Sequence, residues 1–248
     1  MLRLLLVTAH PDDEAGGFGG TLLLYRRRGV QTFVVCLTPG QAARNRGIAT
    51  NDEDLSAMRR EEFAHSCKLL EVSHGEVLNF PDGRLDRTDF YSMVEQVVRR
   101  VREIRPQVMV TFGPEGAITA HPDHSMASLV ATSGYHWAGR TNRFANQLES
   151  GLQPWRVQKL YYSTWPGTLP DRQPISLAPW NAEIEIGDLV ETKLAAFKAH
   201  TTQNPLYDLF VRNVTRFGTR ELFHLSAKSE PGEIQHETDL FSGVVDEA

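Results

Sequence analysis

Residues 2–8 read LRLLLVT, an apolar run with almost no polar interruption. A strand with one wet face alternates apolar and polar side chains, so an unbroken run is the pattern of a strand covered on both faces within a parallel sheet. The run stops at Ala9. Gly19 to Arg28 then reads as a helix closed by Gly29, and Val30 to Leu37, VQTFVVCL, as a second strand, which together make a βαβ unit. A turn at Thr38, Pro39 and Gly40 leads into a polar loop through Asn51, longer than a simple connection needs and therefore a candidate functional loop. Helical periodicity over Asp54 to Leu70, a strand at Glu76 to Phe80, a helix over Phe90 to Arg102 ended by Pro106, and a strand at Gln107 to Phe112 continue the alternation. This order predicts a Rossmann-like three-layer α/β fold with a mostly parallel central sheet and its active site at the carboxyl ends of the strands.

Beyond Gln153 the pattern loosens, with strands expected at Val157 to Ser163 and Glu183 to Ile186 and a helix at Asp188 to His200. Residues 1–225 read as one domain, and Ser226 to Ala248 as an acidic, aperiodic C-terminal tail, either mobile or docked on the body or on a neighbouring subunit. A chain of 248 residues, 41% apolar and 23% charged, can bury a sizeable core. Its formal net charge of −5 gives no electrostatic reason to bind nucleic acid, and the one basic run, Arg26 to Arg28, suits the end of a helix. Cys36 and Cys67 lack any ligand spacing and read as reduced core residues. No stretch approaches the roughly 20 apolar residues that span a bilayer. The N-terminal run is too short for a signal peptide, so a cytoplasmic protein with no membrane partner is expected.

The chemistry lies at two strand ends. HPDDE, from His10 to Glu14, sets an imidazole and the carboxylates of Asp12, Asp13 and Glu14 within one turn after a buried strand. Carboxylates so close repel one another, and a divalent cation would neutralise them, imidazole and carboxylate both being zinc ligands. An acidic turn capping the next helix, with Asp12 or Asp13 as N-cap, explains this segment alone equally well. HPDH, His121 to His124, repeats the combination after another strand, its two histidines placed to face one way on a helix. The pair of clusters favours a metal site, and three protein ligands with an open position would make it catalytic rather than structural.

AHPDDE and HPDH together resemble the paired signatures of the LmbE-like, or PIG-L, family of N-acetylglucosaminyl deacetylases. The Thr38 and Gly40 turn, Arg59 and Glu62 in RRxE spacing, FPDG at Phe80 to Gly83, and KxxAxxxHxxQ from Lys193 to Gln203 agree with it. The resemblance implies zinc, with iron(II) also suited to the ligand set, held by His10, Asp13 and His124. It implies Asp12 as general base and His121 as its partner across the site, stabilising the oxyanion if protonated. Arg59 and Asp82 would hold sugar hydroxyls. On the residues alone, an Arg59–Glu62 pair and a turn aspartate before Gly83 weigh equally with that role. Ala120, Gln41 and Thr202 stand where family members commonly carry glycine, an acid and serine, which bears on substrate choice rather than on the ligands. The implied reaction removes an N-acetyl group from a small-molecule amino-sugar conjugate. An amidase for thiol-conjugated pseudo-disaccharides and a catalytically silent sugar-binding protein are the alternatives, and a homo-oligomer is left open.

Glu14 is expected to support the site by a hydrogen bond or the helix dipole rather than by ligation. For His200 and Gln203, helix capping and a place in the site wall are equal readings, and the tryptophans are assigned to the core. Gly16 to Gly20 offers a dinucleotide-binding rival. It fails because Leu22 stands where GxGxxG needs glycine and no acidic residue ends the second strand.

Overall fold

A computed structural model describes residues 1–168, 174–217 and 219–246. Its strands are β1 (Arg3–Thr8), β2 (Gln31–Cys36), β3 (His74–Val77), β4 (Val108–Phe112), β5 (Lys159–Thr164), β6 (Ala182–Glu185) and β7 (Arg220–Lys228). The helices are α1 (Asp13–Arg27), α2 (Asp52–Leu69), α3 (Phe90–Ile104), α4 (Pro122–Trp137), α5 (Ala145–Glu149), α6 (Val190–Lys198) and α7 (Tyr207–Phe217). All seven strands join one sheet in the order β3-β2-β1-β4-β5-β7-β6. Strands β1 to β5 pair in parallel, and β7 runs antiparallel to both β5 and β6. The mostly parallel α/β architecture is as the alternation predicts.

Strand β1 lies inside the sheet and is buried from Leu4 onward, which is what its unbroken apolar run requires. Helix α3 starts at the Asp89 cap, whose carboxylate accepts from Ser92 N at 2.7 Å, and stops at Arg105, left-handed just before Pro106. Helix α2 begins at Asn51, whose side chain accepts from Asp54 N. Strand β3 sits three residues earlier than expected at its end, because β2 ends at Cys36. Beyond Val77 only single bonds, Leu78 N to Cys36 O and Phe80 N to Leu37 O, continue the edge.

Helix α1 starts at Asp13 rather than Gly19, so the glycines lie within it. Burial of Phe18, Leu22, Leu23 and Tyr25 overrides the weak helix propensity of glycine. Gly20 is needed for contact, since a Cβ there would meet Ile186 Cβ at 2.8 Å. The segment expected as a tail begins inside β7, and its described part lies on the body. Tyr25 Oη donates to Asp239 Oδ1 at 2.8 Å and accepts from Leu240 N at 2.6 Å, while the N-terminal ammonium contacts the Asp246 carboxylate. The last two residues of that segment lie outside the described residues. Cys36 and Cys67 are free and buried. Trp155 is in the core, whereas Trp180 is exposed. Among the described residues no helix is long and apolar enough to cross a membrane.

Candidate active site

From β1 the chain winds outward to β2 and β3, and from β4 it winds the other way to β5. The carboxyl ends of β1 and β4 therefore flank a topological switch point, where a crevice opens between diverging loops. HPDDE leaves β1 and HPDH opens α4 after β4, so the sheet brings the two segments face to face.

Asp13 is the first residue of α1. Its Oδ2 accepts from Ala9 N at 3.1 Å and His10 N at 2.8 Å, and its Oδ1 lies 3.1 Å from His124 Nε2. Burial alone would raise the Asp13 pKa, but the charge and hydrogen bond of His124 and the charge of His10 hold it well below the carboxylate range. His124 stacks on Phe112, ring centroids 4.1 Å apart and planes 11° apart. His10, His121 and His124 each bring a ring nitrogen within 4.8 Å of one another.

His10 has two different sides. Nδ1 lies 3.7 Å from Asp13 Oδ2, whereas Nε2 lies 3.1 Å from Asp82 Oδ1 and 3.3 Å from Asp123 Oδ2. His10, Asp82 and Asp123 thus form a second group of metal-ligand type. We read it as the hydrogen-bonded back of the site. Asp123 already accepts from Gly83 N at 2.7 Å and Leu85 N at 3.2 Å, and Asp82 Oδ2 accepts from Ala42 N at 2.7 Å. A carboxylate bonded to one ring nitrogen fixes the tautomer and leaves the other nitrogen's lone pair for a metal. Burial disfavours the His10 imidazolium, yet the bonds to Asp123 and Asp82 and the charge of Asp13 raise its pKa to about 10, so a metal would have to displace a proton from Nδ1 to use that lone pair.

Asp12 precedes α1 with φ 119° and ψ −24°, a conformation that a non-glycine residue rarely adopts. Its Oδ2 is 3.2 Å from Arg59 Nη2. Burial and the charge of Asp13 push the carboxyl up to about 6 against the opposing charges of Arg59, His200 and His10. Arg59 is 3% exposed. It donates from Nη1 to Gly40 O at 2.9 Å and from Nη2 to Pro11 O. Gly40 has φ 70°, and a Cβ there would run into the guanidinium. The threonine-glycine turn is tied to β1 by Thr38 Oγ1, which donates to Ala9 O at 2.9 Å.

His121 caps α4, its Nδ1 accepting from Asp123 N at 3.2 Å. Burial, then the neighbouring charges of His10 and His124, lowers its pKa. A ring that accepts at Nδ1 carries its proton on Nε2 when neutral. The lowered pKa works against the imidazolium on which the sequence reading made the oxyanion role of His121 conditional.

The structure brings His10, Asp12, Asp13, His121 and His124 to one crevice. Asp82 lies behind His10 and Arg59 behind Asp12. Arg59 meets Asp12 rather than Glu62, the partner in one of its two equal readings. Glu62 accepts instead from Thr201 Oγ1 at 2.6 Å and from Thr202 N and Oγ1 at 2.8 and 2.7 Å. Sequence reasoning gave Asp123 no role, although its place between the two histidines was a signal. It gave none to Ser66, which nothing in the local pattern marks, and could not place His200, which is fully buried against Glu14. Gln203 reaches the long polar loop through Asn45 O at 3.2 Å.

Residues 5–134 match the PIG-L family, described as GlcNAc-PI de-N-acetylase. The chain is 29% identical to a 1D-myo-inositol 2-acetamido-2-deoxy-alpha-D-glucopyranoside deacetylase of Catenulispora acidiphila, 97% of each being covered. Its fold matches the N,N'-diacetylchitobiose deacetylase of Pyrococcus horikoshii with a TM-score of 0.72 at 23% identity, covering 90% of this chain and 83% of that one. It also matches GalB, a 4-carboxy-2-hydroxymuconate hydratase of Pseudomonas putida, with a TM-score of 0.71 at 18% identity, covering 94% and 99%. At such identities the two structures speak for the fold alone. The match at residues 5–134 spans just over half of the 248 residues and both strand-end motifs, and on it the chain belongs to the PIG-L family of de-N-acetylases.

Proposed function

We propose that this chain is a metal-dependent hydrolase that removes the N-acetyl group from an N-acetylglucosamine-type conjugate. One observation carries the reading: Asp12 stands beside Asp13, whose carboxylate meets the side chains of His10 and His124, in the crevice between β1 and β4. His10, Asp13 and His124 would hold the ion. Two imidazole nitrogens and one carboxylate make a three-ligand set with a position left open, and the bonds from Asp82 and Asp123 to His10 Nε2 suit ligation through the other ring nitrogen. When bound, the ion supplies Lewis acidity, which brings a water's pKa toward neutrality and polarises the acyl carbonyl.

The chain's own residues move the protons. Asp12 takes one from the water that attacks the acyl carbon. Burial favours the protonated form of its carboxyl, which makes the carboxylate a better base than a solvated one. Arg59 fixes Asp12 Oδ2 and so orients the carboxylate. His121 offers its Nε2 proton to the oxyanion of the tetrahedral intermediate, a role that needs no imidazolium. As the C–N bond breaks, Asp12 passes its proton to the leaving nitrogen, giving acetate and a free amine. Arg59 and Asp82 act on the substrate through the residues they hold. Direct contact of Arg59 with sugar hydroxyls, as the resemblance implies, requires its buried guanidinium to become accessible.

The named relatives support an amino sugar joined to a second unit as substrate. The test is release of free amine by zinc-loaded protein, and by anaerobically iron-loaded protein, from N-acetylglucosamine joined to inositol or malate, from diacetylchitobiose and from a thiol-conjugated pseudo-disaccharide. Chelator-sensitive release from an N-acetyl conjugate is expected. Release from the thiol conjugate alone would make the chain an amidase. No release from protein holding one metal per chain would refute the hydrolase reading and leave a sugar-binding protein.

A further inference from the structure

We infer that Glu14, Ser66 and His200 form a buried latch that sets the position of Asp12, which makes them positioning residues for the reaction; this rests on the reading of Asp12 as its base. A non-glycine residue at φ 119° persists only where its surroundings over-determine it, and here the surroundings can be named. The Asp12 N–H donates to Glu14 Oε2 at 3.0 Å, its carbonyl accepts from Gly16 N at 2.8 Å, and its side chain meets Arg59. Glu14 is itself held from two distant parts of the chain. Its Oε1 accepts from Ser66 Oγ on α2 at 2.5 Å and lies 2.6 Å from Nε2 of His200, just beyond α6.

Neither bland explanation accounts for this arrangement. A glutamate serving only the helix dipole gains as much at the surface and needs no partners, whereas Glu14 is fully buried with three. A histidine serving only to pack would not be kept with a buried, unpartnered nitrogen, yet among the described residues His200 Nδ1 has no hydrogen-bond partner, and Nε2 is spent on Glu14. What the two residues share is the Asp12 backbone. Loss of either donor would loosen Glu14 and its hold on the Asp12 N–H, and let the turn relax toward an unstrained conformation with the carboxylate displaced.

The experiment uses the zinc-loaded full chain and the conjugate turned over fastest in the panel above. His200→Leu should lower kcat on the order of 10- to 100-fold, as for other residues that orient a site without touching substrate. KM should stay within about threefold and zinc content at wild-type level, because no latch residue lies among the proposed ligands. His200→Gln, whose amide can still donate to Glu14, should recover most of the rate. If His200→Leu does not fold, Ser66→Ala carries the same expectation with a smaller fall in kcat. The variants are repeated in Asp12→Asn protein, where removing the latch should change the residual rate by less than about twofold. Undiminished loss in that background, loss of zinc, or a KM effect with kcat intact would overturn the latch while leaving the base assignment standing. An Asp12→Asn enzyme near wild-type turnover would overturn both.

Discussion

Lys193 opens the KxxAxxxHxxQ motif, and its environment allows its contribution to be worked out. The ammonium lies 2.6 Å from Glu221 Oε1, and both side chains are 3% exposed. Glu221 also accepts from the N–H groups of Gly20 at 2.9 Å and Thr21 at 2.8 Å, which ties β7 to the middle of α1. Lys193→Met keeps the stem that packs on Gly19 but leaves a buried carboxylate without its counter-charge. Breaking a buried pair by removing one partner costs about 3–5 kcal/mol. Because two backbone donors remain on Glu221, the lower end applies, about 3 kcal/mol. At about 2–4 °C per kcal/mol for a chain of this size, Tm should fall by roughly 6–12 °C. Urea unfolding of metal-free protein, followed by circular dichroism, measures the change without interference from ligand binding. Glu221→Gln should cost a similar amount, and the double variant less than the two combined, with a coupling of at least about 1 kcal/mol. A loss below about 1 kcal/mol for Lys193→Met, or additive effects, would refute the buried pair as the link between α1 and the second half of the chain.

Asp12→Asn should retain metal while kcat falls on the order of 10²- to 10⁴-fold, whereas Asp13→Asn should lose metal on purification. Metal content and turnover read together check the assignment, and rescue of Asp12→Asn by excess zinc would reverse the two roles. In the pH profile kcat/KM should fall as pH drops through the Asp12 pKa, which burial holds near 6, because the base is then protonated. Arg59 lowers that pKa, so Arg59→Met should move the acid limb to higher pH, and a limb that stays put would refute the Arg59–Asp12 pairing. Ala120 has φ 52°, in the left-handed region where a Cβ costs about 1 kcal/mol, so Ala120→Gly should raise Tm by about 2–4 °C. An unchanged or lower Tm would show that this backbone carries no such strain.

The parts of the fold that were legible are those in which burial on both faces writes itself into composition. β1, β2 and β4 are interior parallel strands, and their apolar runs fix type and place to within a residue or two. The antiparallel end was harder to read. β7, RELFHLSAK, mixes polar and apolar residues because β6 and β5 flank it while parts of it stay wet, and its last residues were absorbed into the expected tail. The start of α1 was missed for the opposite reason, a local rule against glycine overruled by close contact with Ile186. At the site, residue types at strand ends pointed to the crevice but not to which atom of each residue does what. That assignment depends on partners remote in sequence. His10 presents Nδ1 to Asp13 only because Asp82 and Asp123, 72 and 113 residues away, occupy Nε2. The same dependence explains Ala120. The loop from Gly113 to His121 must turn tightly enough to lay His124 on Phe112, and it does so with left-handed residues at Gly116, Ala117 and Ala120. Gly116 tolerates no side chain, since a Cβ would meet His121 O at 2.7 Å. Ala120 has the same sign of φ without that collision. Alanine at this position is thus a cost in backbone energy rather than in shape, and it leaves the histidines it precedes where the crevice needs them.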